Sequence, residues 1–132
     1  MARVLVVDDD PAVCELIQDV LQEVRLEAVC VSGDDAAYRR IPTLPTIQAL
    51  VVDVNLGPGT TGYDVARFAR QVIPDLPVLY ISGEVGAEAF SSFAVPDSGF
   101  LEKPFMPDEL LAALVGRLKP GQGSPSKKRR RR

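Results

Sequence analysis

The apolar run Ala49–Val52 leads directly into Asp53, and a loop rich in glycine and proline follows at once. A continuous apolar run bounded by turn residues is typical of a strand that is buried on both faces, as in a parallel sheet. Asp53 would then stand at the carboxyl end of the strand, where open α/β sheets place their binding and catalytic groups. A buried carboxylate is costly unless a cation compensates it, so this stretch predicts a charged site around Asp53.

The same alternation of a short apolar run and a helical stripe is repeated along the chain. The apolar runs predict strands at 3–7, 26–31, 49–53, 77–81 and 99–101. The helical stripes predict helices at 11–24, 33–41, 65–73, 84–94 and 107–118, of which the second and the fourth have the weaker patterns. Asp10 is expected to cap the first helix, with Pro11 at its first position. Five alternations predict an α/β fold, in which a doubly wound parallel sheet carries helices on both faces.

The length of 132 residues predicts one domain with a tail. We expect the domain to span 1–119, followed by a disordered tail at 120–132 that is first rich in Gly, Pro and Ser and then basic. No apolar run is long enough to span a bilayer, and the N-terminus lacks the pattern of a signal peptide. These features predict a cytoplasmic location.

Histidine is absent from the sequence. Its absence excludes Ser-His-Asp and Cys-His nucleophile systems and most transition-metal sites, which leaves carboxylate, lysine and hydroxyl chemistry. Such chemistry favours hard cations such as Mg²⁺. Cys14 and Cys30 suit neither a disulfide framework nor a zinc site, so we expect small core residues there, with reactive thiols as the less favoured alternative.

The net charge of −3 is the sum of an acidic part of the chain and a short basic part. Six of the fifteen Lys and Arg residues form the run Lys127–Arg132, so residues 1–126 carry nine basic side chains against eighteen acidic ones, a net charge of −9. A solvated tail is the simplest interpretation of this run. Binding to nucleic acid through released counterions, or to an anionic membrane, is a less favoured alternative.

Polar groups follow four of the predicted strands. They are the acidic run Asp8–Asp10 after the first strand, Asp53 after the third, Ser82 after the fourth and Lys103 after the fifth. In a doubly wound sheet these ends lie on one edge, around a single crevice. Neighbouring carboxylates repel each other, and Mg²⁺ accepts one or two of them together with phosphate oxygens. Lysine and serine can bind the same phosphate, so the set predicts phosphoryl transfer onto a carboxylate, with Asp53 as the nucleophile.

The motifs Asp8-Asp9, Asp53, Ser82 and Lys103-Pro104-Phe105, in this order, resemble the receiver domain of bacterial response regulators, the CheY-like family. The resemblance covers residues 3–118. It implies a flavodoxin-like sheet of five parallel strands in the order 2-1-3-4-5, flanked by five helices.

The resemblance also implies roles for single residues. Asp53 would accept a phosphoryl group from a histidine kinase or a phosphotransfer protein. The implied ligands of Mg²⁺ are Asp8, Asp9, Asp53 and the backbone carbonyl of Asn55. Ser82 and Lys103 would bind the phosphoryl oxygens, and Ser82 and Phe100 would change position on activation. The Lys103–Pro104 peptide would be cis. The implied protein is a signalling module rather than an enzyme acting on other molecules.

Two departures from the family concern the output. The loop Asn55–Gly62 is longer than usual, and the fourth helix, which usually belongs to the signalling surface, has a weak pattern. Because no effector domain follows residue 119 in this sequence, a stand-alone receiver would signal by protein contact or pass on its phosphoryl group. Two alternatives are a degenerate receiver that acts as a scaffold and a phosphotransferase of the haloacid dehalogenase type. The latter class places a second Asp where this chain has Asn55.

Overall fold

Five parallel strands form one sheet in the order β2-β1-β3-β4-β5, as the resemblance implied. A computed structural model describes residues 2–44, 46–57, 61–83, 90 and 92–118 of the chain. The strands are β1 (Ala2–Val7), β2 (Leu26–Val31), β3 (Ala49–Asp53), β4 (Val78–Ser82) and β5 (Ser98–Glu102). The three central strands are almost fully apolar because both of their faces are covered, as their sequence predicted.

Helices connect the strands across both faces of the sheet. They are α1 (Pro11–Gln22), α2 (Asp34–Arg40), α3 (Gly62–Val72) and α4 (Pro107–Val115), and a 3₁₀ turn follows α2 at Ile41–Thr43. Asp10 caps α1 as predicted, because its Oδ1 accepts a hydrogen bond from the N–H of Ala12 at 3.0 Å. Helix α1 ends earlier than predicted because the N–H groups of Val24 and Arg25 donate to carbonyl oxygens three residues back, at 3.0 and 3.1 Å, and Arg25 then adopts a left-handed conformation with φ of 63°.

Alternate residues of each strand point to different interiors. The aliphatic face, covered by α1 and α4, contains among its buried residues Val4, Val6, Ile17, Val20, Leu21, Leu26, Ala49, Val51, Leu79, Ile81, Phe105, Leu110, Leu114 and Leu118. The aromatic face, covered by α2 and α3, buries Leu5, Val7, Leu50, Val52, Val65 and Val78 together with Tyr63 and Tyr80, while Tyr38, Phe68, Phe90 and Phe100 pack against it.

Several predictions concern residues outside the described ranges. The predicted helix at 84–94 falls mostly on such residues, although Phe90, Ser92 and Phe93 are helical. The centre of the loop after Asp53, at 58–60, and the tail at 120–132 with its basic run also lie outside the described part of the chain. Of the helices that the structure describes, none has the length and apolarity that crossing a bilayer requires.

The prediction that the two cysteines form no disulfide is wrong in this structure. Cys14 in α1 and Cys30 in β2 are joined by a disulfide, with their Cα atoms 6.3 Å apart. The crossover from β1 through α1 lays the first turn of the helix beside the carboxyl end of β2, which brings together two residues separated by 16 positions. Both side chains are half-buried at the margin of the aliphatic face rather than inside it.

Candidate functional site

Three polar side chains are buried where neighbouring strands end. Asp8 follows β1, Asp53 closes β3 and Ser82 closes β4, and their exposed fractions are 2%, 4% and 1%. Strands β1 and β3 pair Val7 with Val52, so the two aspartates that follow lie side by side. Carboxylate oxygens of Asp8, Asp9 and Asp53 lie within 4.8 Å of one another, and Asp9 is exposed. The parallel sheet therefore gathers the acidic residues that the sequence predicted at one edge.

Asp8 and Asp53 are held in the same way. Oδ1 of Asp8 accepts a hydrogen bond from the N–H of Asp10 at 2.9 Å, and Oδ1 of Asp53 accepts one from the N–H of Asn55 at 3.0 Å. Each bond reaches two residues ahead along the chain, a local turn that aspartate forms readily. These turns fix one oxygen of each carboxylate and leave the other, Oδ2, to face the crevice.

Lys103 lies between these two Oδ2 atoms. Its Nζ is 2.9 Å from Oδ2 of Asp8 and 3.1 Å from Oδ2 of Asp53. The backbone N–H of Lys103 donates to the carbonyl oxygen of Ser82 at 2.9 Å, which anchors this residue just after the β4–β5 ladder. A single ammonium group thus contacts both buried carboxylates.

The electrostatic balance at the edge remains negative. Burial raises the pKa of Asp8 above its ordinary value, against the lowering effects of the Asp10 N–H and the Lys103 ammonium. Burial by itself would lower the pKa of Lys103, but the bonds to Asp8 and Asp53 outweigh it and raise that pKa. Two buried carboxylates and the nearby Asp9 share one lysine, so a further cation would stabilise the ionised site.

The donor set fits a hard divalent cation. All of the grouped ligand atoms are carboxylate oxygens, which Mg²⁺ and Ca²⁺ prefer. Oδ2 of Asp8 is buried and accepts no hydrogen bond of good angular geometry among the described residues, so its 2.9 Å contact with Lys103 is an ion pair. A buried carboxylate oxygen that is paired with one ammonium group keeps a lone pair for a metal ion, so this atom is well suited to be a metal ligand.

The remaining predicted site residues lie at different distances from this group. Ser82 is buried at the end of β4, one residue beyond Ile81, which is the partner of Asp53 in the β3–β4 pairing. Asn55 is exposed, and its N–H supports Asp53. Phe100 is half-buried on the aromatic face, where its ring centroid is 5.7 Å from that of Phe90. The structure therefore brings Ser82 and Asn55 to Asp53, whereas Phe100 packs in the core. The Lys103–Pro104 peptide is cis, as the resemblance implied.

Gly62 is a positioning residue that the sequence alone did not single out. A Cβ atom at this position would overlap the carbonyl oxygen of Asp53 and lie 2.9 Å from the Cα of Val54. The N–H of Gly62 donates to the carbonyl oxygen of Val54 at 2.8 Å. Glycine allows α3 to begin directly against the backbone of β3 at Asp53. The available signal was a glycine at the end of the predicted loop, three residues before the predicted helix at 65–73, and it was obscured by the other glycines of the loop.

An acidic edge closed by one lysine, on a sheet of order 2-1-3-4-5, defines the receiver class of signalling domains. The family model for the response regulator receiver domain matches residues 4–115, so the chain belongs to this family of two-component response regulators. Receiver domains are signalling modules that bind Mg²⁺ at an acidic pocket and interact with histidine kinases or phosphotransfer proteins.

Curated relatives agree with this assignment. The chain is similar to the transcriptional regulatory protein YvrH of Bacillus subtilis, with 29% identity over 121 residues that cover 89% of this chain and 49% of that protein. It is also similar to the regulatory protein VirG of Rhizobium rhizogenes, with 33% identity over 116 residues, covering 86% of this chain and 47% of that protein. The chain spans about half the length of the curated relatives it matches.

Solved structures show the same fold. A response regulator receiver protein from Sinorhizobium medicae superposes with a TM-score of 0.81 and 30% identity, covering 87% of this chain and 92% of that one. The chemotaxis protein CheY4 of Vibrio cholerae superposes with a TM-score of 0.79 and 26% identity, covering 89% of this chain and 99% of that one.

Proposed function

We propose that this chain is a phosphoacceptor module that receives a phosphoryl group on Asp53 from a histidine kinase or a phosphotransfer protein, in a Mg²⁺-dependent reaction. The observation that carries the proposal is the arrangement of Asp8 and Asp53, each held by a backbone N–H on one oxygen and joined through Lys103 on the other. Such an arrangement holds a carboxylate in place and provides a cationic group beside it, as phosphoryl transfer requires.

Asp53 acts as the nucleophile in this proposal. One of its carboxylate oxygens forms a bond to phosphorus while the bond from phosphorus to the donor nitrogen breaks. Because Oδ1 accepts from Asn55 and Oδ2 contacts Lys103, the attacking oxygen gives up part of one of these contacts. The ammonium group of Lys103 then pairs with a phosphoryl oxygen, and the hydroxyl of Ser82 donates a hydrogen bond to the same group.

The cation is proposed to be Mg²⁺, with Asp8, Asp9, Asp53 and the backbone carbonyl of Asn55 as its protein ligands. When bound, Mg²⁺ would offset the repulsion between the carboxylates and the incoming phosphoryl oxygens. The buried Oδ2 of Asp8, which among the described residues is paired with the Lys103 ammonium alone, and the excess of negative charge support this assignment. Exchange of Asp8 or Asp9 for Asn is therefore expected to weaken both Mg²⁺ binding and phosphorylation.

The output is proposed to be contact with a downstream protein rather than catalysis on another molecule. Ser82 and Phe100 would transmit the phosphorylated state, because one stands at the site and the other lies on the adjoining strand of the aromatic face. The proposed receiver domain spans 1–119 and acts in the cytoplasm. The run Lys127–Arg132 is proposed to be a solvated part of the tail at 120–132.

Incubation with acetyl phosphate and Mg²⁺, followed by intact mass measurement, tests the proposal. We expect a mass increase of one phosphoryl group that disappears in Asp53→Asn and when EDTA removes the metal. Asp75→Asn is a matched control, because Asp75 is an exposed carboxylate before β4, at the opposite edge of the sheet. An unmodified wild-type protein, or a modified Asp53→Asn protein, would contradict the proposed acceptor.

A further inference from the structure

Cys14 and Cys30 lie beside the acidic edge, in a surface cavity of about 440 Å³ whose lining also includes Asp8, Asp9 and Glu15. Both cysteines are half-buried and belong to the lining of this cavity. Their Cα separation of 6.3 Å lies within the range that a disulfide spans without movement of the backbone. The two cysteines are therefore bridged, and both border a surface cavity.

The backbones of both cysteines connect to the Asp8–Asp10 turn through hydrogen bonds. The N–H of Cys14 donates to the carbonyl oxygen of Asp10 at 3.2 Å, and the N–H of Asp10 donates to the carboxylate of Asp8. On the other side, the N–H of Asp8 donates at 3.1 Å to the carbonyl oxygen of Val31, the residue that follows Cys30. The disulfide thus closes a ring around the turn that presents the acidic pair.

We propose that Cys14 and Cys30 form a reversible thiol–disulfide pair that responds to hydroperoxides and sets the affinity of the acidic edge for Mg²⁺. The proposal rests on the proposed function for its metal, but not for the redox chemistry of the cysteines. In a reducing compartment, disulfides are usually transient and redox-sensing. Because the disulfide lies next to the Asp8–Asp10 turn, its formation or reduction can directly change how that turn binds the metal.

The oxidation needs one equivalent of hydroperoxide. The thiolate of one cysteine attacks the peroxide oxygen, the O–O bond breaks, and a sulfenic acid and one molecule of water (or alcohol) result. The second thiol attacks the sulfenic sulfur, the S–S bond forms, and the hydroxyl leaves with a proton as a second molecule of water. The protein loses two protons and two electrons, and a dithiol reductant reverses the change.

The bridge is expected to strengthen Mg²⁺ binding. Tying the first turn of α1 to the end of β2 limits the positions that the Asp8–Asp10 turn adopts without metal, so less ordering accompanies binding. We expect the oxidised protein to bind Mg²⁺ about fivefold more tightly than the reduced protein, the lower end of typical couplings between sites. Linkage requires that Mg²⁺ favour the disulfide by the same factor.

Thiol counting tests the redox pair without any metal. The full chain is treated with hydrogen peroxide or with dithiothreitol, unfolded and alkylated with iodoacetamide, and its intact mass is measured. We expect two alkylated thiols after reduction and none after oxidation, in a monomer. Two free thiols after oxidation, a disulfide-linked dimer, or sulfinic acid in place of the bridge would each overturn the proposal.

Isothermal titration calorimetry with MgCl₂ on the oxidised and the reduced wild-type protein then tests the coupling. Equal affinities in the two forms would overturn it, as would tighter binding by the reduced form. The double variant Cys14→Ser, Cys30→Ser is the control and should bind Mg²⁺ equally after either treatment. Since the comparison uses two forms of the wild-type protein, it does not depend on the folding of the variant.

A redox titration in glutathione buffers, with and without Mg²⁺, provides a second readout through the thiol count. The ratio [GSH]²/[GSSG] at which half of the protein is oxidised should shift, at saturating Mg²⁺, by the same factor as the Mg²⁺ affinity. No shift would overturn the coupling. A complete absence of Mg²⁺ binding in both forms would overturn the proposed function together with the coupling. The metal-free thiol count would still distinguish that failure from a failure of the redox pair.

Discussion

The two faces of the sheet are built from different side chains. The aliphatic face is filled by branched hydrocarbon residues of β1, β3, α1 and α4, and Phe105 is its buried aromatic residue among the described positions. The aromatic face contains the three tyrosines and packs Phe68, Phe90 and Phe100 against them. The stability of hydrocarbon packing depends mainly on the volume that is filled. Each tyrosine adds a hydroxyl group whose contribution to stability depends on whether that group has a hydrogen-bond partner.

This difference assigns different tasks to the two faces. The aliphatic face supports α1, and with it the Asp8–Asp10 turn and the cysteine pair. The aromatic face adjoins Ser82 through Tyr80, whose ring contacts Tyr63 at 5.0 Å and Phe90 at 5.9 Å between centroids. We therefore expect volume changes on the aliphatic face to act on stability, and hydroxyl or ring changes on the aromatic face to be small and specific.

The largest effect is expected from Ile17→Ala on the aliphatic face. Ile17 is fully buried, so its loss removes about 3–4 kcal/mol from the free energy of unfolding through lost transfer energy and a new cavity. Leu16→Ala is the matched control, since this neighbour in α1 is 37% exposed and should change stability little. Urea unfolding followed by circular dichroism measures both. Equal losses of unfolding free energy in the two variants would contradict the assignment of Ile17, and not Leu16, to the buried side of α1.

Gly62→Ala is expected to rank second, because it affects the junction between α3 and β3. The added methyl group meets backbone atoms of Asp53 and Val54, which cannot move aside as a side chain does, so we expect a loss of about 2–3 kcal/mol. Phosphorylation of Asp53 by acetyl phosphate should slow in parallel. Gly33→Ala is the control, because a Cβ there meets no atom within 4 Å. An unchanged phosphorylation rate in Gly62→Ala would show that the contact between Gly62 and the backbone of Asp53 does not affect the reactivity of Asp53.

Two tyrosines of the aromatic face differ in the hydrogen bonding of their hydroxyl groups. Burial raises the pKa of both Tyr80 and Tyr63. The hydroxyl of Tyr80 accepts a hydrogen bond from the N–H of Val95 at 3.1 Å, whereas that of Tyr63 has no partner among the described residues. Tyr80→Phe leaves a buried N–H unsatisfied and should cost about 1–2 kcal/mol, while Tyr63→Phe should be neutral or slightly stabilising. Chemical denaturation of both variants measures the difference, and a reversed order would refute this view of the hydroxyls.

The smallest effect is expected from Asp64→Asn in the first turn of α3. The hydrogen bond from the N–H of Thr61, at 3.2 Å, is the main cause that lowers the pKa of Asp64, followed by the charge of Arg67. A lowered pKa stabilises the folded protein above the ordinary value of 3.8, and this contribution is lost as the pH falls through the folded-state pKa.

The side chain of Asp64 is 43% exposed, so water screens its electrostatic interactions with Thr61 and Arg67. We therefore expect Asp64→Asn to cost about 0.5 kcal/mol at neutral pH and nothing once Asp64 is protonated in the folded wild-type protein. Urea unfolding of both proteins, from neutral pH down to the pH at which Asp64 is protonated, measures the difference between their free energies of unfolding. A difference that is independent of pH would show that the amide, and not the lost charge, is its cause.

Much of the fold could be predicted from the sequence because the signals are local. Runs such as Ala49–Val52 are typical of strands buried on both faces of a covered parallel sheet, and Asp10 followed by Pro11 is a local signal for a helix start. The ends of helices were less predictable. Just after α1, Arg25 adopts a left-handed conformation that its side chain does not encode.

The strands, the acidic strand ends and the receiver family follow from the sequence alone, because hydrophobic periodicity and motif order depend only on position along the chain. Tertiary structure alone decided which groups touch. It placed Lys103 between Asp8 and Asp53, laid Gly62 against the backbone of Asp53, and joined Cys14 to Cys30 across a helix–strand crossover. These contacts depend on how the helices cross the sheet, and that packing arises from the whole core rather than from any one segment.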